Sequence, residues 1–190
     1  MTRNGKISDS SVKRCGYRER VTYLCEGFLG ENHTASDMLN VRKMLRKHAS
    51  YKGFIGVKAV NNAGEMAGFA YGYTSLPGQF YRMKLEAVLT EQQRKDWLDD
   101  CFEFVELAVH PNQRKNGIGS LLHDKLMQNI THETAILTTD VNNLPAKALY
   151  RKKGWGIIQA NAAVISPESP QSVFGKRILR DDKNGKSTLK

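Results

Sequence analysis

The stretch Cys101-Phe102-Glu103-Phe104-Val105-Glu106-Leu107-Ala108-Val109-His110-Pro111-Asn112-Gln113-Arg114-Lys115-Asn116-Gly117-Ile118-Gly119-Ser120-Leu121-Leu122 decides the fold. Its first half is rich in Phe and Val, which favours a pleated strand. Pro111 has no N–H to donate to a ladder, so the strand should stop near His110. A short basic loop with two glycines follows. Beyond it, Ile118, Leu121, Leu122, Leu126, Met127 and Ile130 fall at helical spacing. Strand, glycine loop and helix in that order bring backbone N–H groups and the positive end of a helix to one spot, which suits a phosphate.

Working outward, Val21, Leu24, Cys25 and Phe28 predict a first helix over Tyr17–Phe28. Ser36 or Asp37 can cap a second helix, with Met38, Val41, Met44 and Leu45 on one face. Gly53 ends it. Phe54–Asn61 and Met66–Thr74 read as a hairpin around Asn61-Asn62-Ala63-Gly64. Gly68 and Gly72 weaken the second strand but allow something to approach it closely. Leu85, Val88, Leu89, Trp97 and Leu98 suggest helical pieces within Gln79–Asp99, lying over the sheet edge. Downstream, Thr134–Val141 is a strand. Asn143 and Pro145 start a short helix that Gly154 closes. Strands follow over Trp155–Val164 and Val173–Leu179. No repeat or second domain is visible.

Composition narrows the class. The 190 residues suffice for one domain with its own core, and 40% hydrophobic with 25% charged residues is ordinary for a globular chain. No apolar run approaches a membrane span, and Met1–Ser11 lacks the apolar centre of a signal peptide. A cytoplasmic protein is therefore expected. Cys15, Cys25 and Cys101 are an odd number at wide spacing, unlike a disulfide framework or a zinc site, and no metal is expected. The net charge of +10 sits mostly at the ends: residues 1–20 and 176–190 each carry six basic against two acidic residues. Basic tails on a near-neutral body argue against a specific nucleic-acid surface.

Among phosphate-binding loops, a P-loop requires Gly-Lys-Ser/Thr after four intervening residues, which this chain lacks. A dinucleotide fingerprint requires a third glycine where Leu122 stands. Arg114-Lys115-Asn116-Gly117-Ile118-Gly119 instead resembles the Gln/Arg-x-x-Gly-x-Gly/Ala signature of the GCN5-related N-acetyltransferases (GNAT). Two further stretches carry the resemblance. Val105–Pro111 is similar to the family's fourth strand and its exit. Asn143-Leu144-Pro145-Ala146-Lys147-Ala148-Leu149-Tyr150-Arg151-Lys152-Lys153-Gly154-Trp155 is similar to its second cofactor motif. Gly68–Tyr73 with Pro77-Gly78 looks like the third strand of a bacterial subgroup of unassigned substrate.

The resemblance covers roughly residues 12–179, leaving 1–11 and 180–190 as flexible basic tails. It implies an α/β (α+β) fold: a mixed, mostly antiparallel sheet of about six or seven strands flanked by helices, splayed between the fourth and fifth. It implies acetyl-coenzyme A as co-substrate, with the pantetheine arm along Leu107, Ala108 and Val109. The pyrophosphate would lie on the amides of Arg114, Lys115, Asn116, Gly117, Ile118, Gly119 and Ser120, and Asn143 would touch the coenzyme. A backbone N–H near Val109 would polarise the thioester carbonyl. Tyr150 would protonate the leaving thiolate.

An acceptor amine of pKa ~10 must lose a proton before it attacks. Glu103 and Glu106 are three apart on one strand and so should face opposite sides, only one of them the cleft. Glu106, directly before the coenzyme segment, is the expected base or, nearly as readily, an anchor for a substrate ammonium. His110 and His123 are the lesser candidates. Tyr71, Tyr73, Phe80 and Tyr81 could line an aromatic pocket, although aromatic strands are usually core. The acceptor expected is a small-molecule primary amine, acetylated by direct transfer in a ternary complex. A protein or peptide acceptor, and a non-catalytic acetyl-coenzyme A-binding module, remain alternatives. Oligomeric state is open, a homodimer included.

Overall fold

In the computed structural model, residues 12–14 and 35–178 are described, with side chains from residue 39 onward. The expected first helix, Cys15, Cys25 and both tails lie outside them. The elements are β1 (Val12–Arg14), α1 (Ala35–Ala49), β2 (Ile55–Val60), β3 (Met66–Thr74), α2 (Phe80–Val88), α3 (Glu91–Leu98), β4 (Cys101–Val109), a 3-10 turn (Pro111–Gln113), α4 (Ile118–Met127), β5 (Thr134–Asp140), α5 (Leu144–Lys152), β6 (Gly156–Ala162) and β7 (Gln171–Arg177). The strands form one sheet in the order β1-β2-β3-β4-β5-β7-β6. Every neighbouring pair is antiparallel except β4 with β5, which is parallel.

The β2–β3 hairpin owes its turn to Asn61, whose side-chain oxygen accepts the N–H groups of Ala63 and Glu65 at 3.0 and 2.9 Å. Gly72 on β3 is required by close approach within the sheet. A Cβ there would lie 2.3 Å from the Glu103 carbonyl oxygen and 2.5 Å from the Phe102 ring. The strand glycines thus admit β4 and its phenylalanine rather than a ligand.

Helices cover both sheet faces. On one, Ile118, Leu122 and Leu126 of α4 pack with Val57, Ala70, Phe102 and Phe104, and Tyr150 of α5 joins them. On the other, Leu85 of α2 and Leu98 of α3 pack on Cys101, Ile136 and Val173, while Leu45 of α1 covers Phe69 and Tyr71. Two expectations about α1 change. It begins at Ala35, so Ser36 and Asp37 lie in its first turn rather than at the cap. Met44 shares the apolar face but is 43% exposed, because that face overhangs a cleft instead of closing on the sheet.

The cleft begins where β4 and β5 part. They pair only from Cys101↔Thr134 to Glu103↔Ile136. Just beyond, β4 carries an extra residue: Phe104 faces Gly72 and Glu106 faces Tyr71, leaving Val105 without a partner on β3. Such a bulge bends its strand and sharpens the local twist. It sits where β4 turns away from β5, and the sheet opens between the fourth and fifth strands as expected.

Candidate active site

Two cavities meet over this opening. The first, of about 910 Å³, runs from Glu106, Leu107, Ala108 and Val109 across Arg114, Lys115, Gly117, Ile118, Gly119 and Ser120 to Asn143, Pro145 and Leu149. The second, of about 650 Å³, lies between α1, α2, β4 and β5 and is walled by Tyr51, Tyr73, Phe80, Tyr81, Glu103 and Asp140 among others. Glu106 and Met44 line both.

The loop entering α4 turns through left-handed backbone into the helix. Lys115 and Gly117 adopt left-handed backbone with φ of 64° and 79°. A side chain would be strained at Gly117, although its Cβ would meet nothing. The residues that follow open α4, where the first N–H groups have no intrahelical acceptor. Two residues of the loop are engaged or turned outward. The Arg114 amide is already bonded to the Pro111 carbonyl at 3.3 Å, and its guanidinium Nε donates to the Val109 carbonyl at 3.2 Å. Asn116 is exposed and lines neither cavity.

Asn143 caps α5, its side-chain oxygen accepting the Ala146 N–H at 3.2 Å, and it also lines the first cavity. Asn143→Ala should cost about 1 kcal/mol of stability. Thermal denaturation checks this; an unchanged midpoint would count against the cap.

Glu103 and Glu106 do not face opposite sides. The bulge at Val105 breaks the two-residue alternation, so Glu103 stands opposite Tyr73 and Glu106 opposite Tyr71 on the same face. Both line the second cavity. Glu103 is 3% exposed and accepts hydrogen bonds from the Tyr73 hydroxyl at 2.8 Å and the Ser75 hydroxyl at 3.3 Å. Burial nevertheless lifts its carboxyl to about 7. Glu106 opens to the cleft. The protein walls around it push its carboxyl upward while the Leu107 amide pulls it back, and its exposure to the cleft weakens the push.

Tyr150 is 7% exposed, set edge-on to Phe104 and Trp155 with centroids 6.1 and 6.0 Å away, and lines neither cavity. Burial and the Glu106 charge both hold its phenol protonated. His123 is a buried strut: Trp155 Nε1 donates to its Nε2 at 2.9 Å, so its other nitrogen carries the proton and faces Asp124 at 2.9 Å. His110 caps the 3-10 turn.

The sequence reading missed His48 and Tyr51, which wall the second cavity from α1 and the segment after it. No local signal marks them, since the packing of α1 on β3 brings them in. His48 faces the Tyr71 hydroxyl at 3.3 Å, and burial lowers its imidazole to about 4, leaving it uncharged near neutrality. Tyr73, Phe80 and Tyr81 do line this cavity, while Tyr71 lines the first. The Gln79–Asp99 segment closes one side. Tyr81 ties α2 across the cavity to β7 and β5, donating to Gln171 at 2.8 Å and bonding Thr138.

Residues 19–155 match the profile of the acetyltransferase (GNAT) family. The chain belongs to that family, whose members use acetyl-coenzyme A as co-substrate, and it is an N-acetyltransferase. Solved structures share its fold at low identity. A variant of the spermidine N-acetyltransferase from Vibrio cholerae is 10% identical, with 92% of this chain and 95% of that one covered and a TM-score of 0.60. For an aminoglycoside 6'-acetyltransferase type Ii the values are 18%, 90%, 98% and 0.60. For the ribosomal-protein-alanine N-acetyltransferase from Brucella melitensis they are 18%, 88%, 99% and 0.59. No curated protein sequence matches the chain. Among the described residues no helix is long and apolar enough to cross a membrane, and no cluster of potential metal ligands occurs.

Proposed function

We propose that the chain transfers the acetyl group of acetyl-coenzyme A directly to a primary amine of a small molecule, both substrates being bound at once. The supporting observation is the shared wall. Glu106 borders both cavities, so a thioester in one and an amine in the other would meet beside its carboxylate.

The residues fit the coenzyme. The left-handed turn at Lys115 and Gly117 and the open amides of α4 suit its pyrophosphate. The edge of β4 from Leu107 to Val109, unpaired on the β5 side, suits the extended pantetheine arm. An N–H near Val109 polarises the carbonyl. Asn116 stays outside this set, and Arg114 contributes charge rather than its amide. Glu106 takes the amine proton, directly or through one water. As the nitrogen bonds to the carbonyl carbon and the C–S bond breaks, the departing thiolate takes a proton. Tyr150, one residue past the groove-lining Leu149, is the donor, and because it is buried outside both cavities its ring must turn toward the groove to reach the sulfur. The second cavity, closed on one side by α2, suits a compact acceptor better than a polypeptide.

A thiol-release screen over polyamines, aminoglycosides, amino acids and peptides tests this. Turnover is expected with small amines. Release by peptides alone would replace the acceptor class, and tight coenzyme binding without any turnover would overturn catalysis in favour of a binding module.

A further inference from the structure

The second cavity contains a buried carboxylate that has hydrogen bonds but, among the described residues, no ion-pair partner. Glu103 receives one hydroxyl from Tyr73 and one from Ser75, both neutral. The guanidinium nearest in effect, Arg82, commits its donors to Glu86 at 2.7 Å and to the Ser75 and Leu98 carbonyls at 3.2 and 2.6 Å. Lys47 also lines the cavity, but it is exposed and forms no ion pair with Glu103 among the described residues. Removing a charge from water without pairing it is costly, and a ligand cation would offset that cost. The aromatic rings of Tyr51, Phe80 and Tyr81 line the same cavity, Phe80 already carrying Lys84 Nζ 5.6 Å from its centroid, and aromatic walls suit a cation.

The bulge fixes where that cation would sit. Glu103 and Glu106 lie opposite Tyr73 and Tyr71, two residues apart on β3. Their backbone positions are thus separated by about 6.6 Å. Glu106 stands at the junction with the coenzyme groove, and Glu103 lies deeper in the acceptor cavity.

We propose that Glu103 determines acceptor specificity and that the acceptor is a compact aliphatic diamine, its reacting nitrogen at Glu106 and its second ammonium at Glu103. The proposal rests on the acceptor-cavity assignment above. The spacing suits nitrogens separated by roughly four to six methylenes.

Calorimetric titration of the full chain with pentane-diamine and with aminopentanol, an isostere lacking the second ammonium, tests this without requiring turnover. Wild type should bind the diamine about 10- to 100-fold more tightly. In Glu103→Gln that ratio should fall toward one. Equal affinities in wild type, no binding of the diamine, or a ratio untouched by the substitution would each overturn the proposal. Should the variant not fold, a diamine length series on wild type decides, with a short optimum expected and a flat series contradicting it. Diamine preference without acetylation would leave Glu103 its role and remove the transferase reading. Equal acetylation of both amines would do the reverse.

Discussion

Glu106→Gln should lower kcat by about 10²- to 10⁴-fold, the usual worth of a positioned general base. The amide keeps the shape of the junction but cannot take a proton from the attacking amine. Wild-type kcat/KM should climb with pH as Glu106 ionises, above the ordinary carboxylate range because the cleft walls push its carboxyl upward. A base is active only after losing its proton, so activity belongs to the alkaline side of that transition. The variant should lose this limb. The competing role as ammonium anchor has a different signature: KM for the amine rises while kcat holds. Steady-state kinetics of both forms across pH separates the two, and an unchanged kcat would remove Glu106 as base.

Glu103→Gln should stabilise the fold by up to about 3 kcal/mol at roughly pH 8 and have little effect near pH 4. The folded carboxyl titrates at about 7 against 4.5 for the free group, with burial as the cause. Between those values the native state holds a proton that the unfolded chain has released. Stability is therefore full below the unfolded value and falls as pH rises through the folded one. Glutamine cannot ionise, so its curve should be flat over this window, less whatever it loses by accepting only one of the Tyr73 and Ser75 hydroxyls. Urea denaturation of both proteins at the two pH values measures the difference. Parallel curves would mean that the charge at Glu103 is compensated in the folded state.

The parts of the site that follow one another along the chain were legible in the sequence. Phe102 to Gly119 read correctly as strand, turn and helix, because alternation, a proline stop and two glycines leave little else. The same holds for the hairpin around Asn61 and the Asn143 cap. Whatever depends on two distant segments was not legible. Phe104-Val105 looks like any other strand interior, so nothing local reveals that Val105 goes unpaired, and a strict alternation put Glu103 on the wrong face. The bond of the Arg114 amide to the Pro111 carbonyl was equally invisible, since it depends on the 3-10 turn. His48 and Tyr51 enter the cavity only through the docking of α1 on β3.

The extra residue at Val105 also divides responsibility within the enzyme. In the proposed reading the delivery point for the acetyl group is set by backbone: the parting of β4 from β5 and the turn at Gly117. In the same reading the walls that meet the acceptor are side chains from α2 and from the segment after α1, such as Phe80, Tyr81 and Tyr51. Exchanging those side chains alters what is acetylated without moving where acetylation happens. A chain built this way can acquire a new acceptor by point substitution, while the extra residue at Val105 holds Glu103 and Glu106 on one face despite their odd spacing.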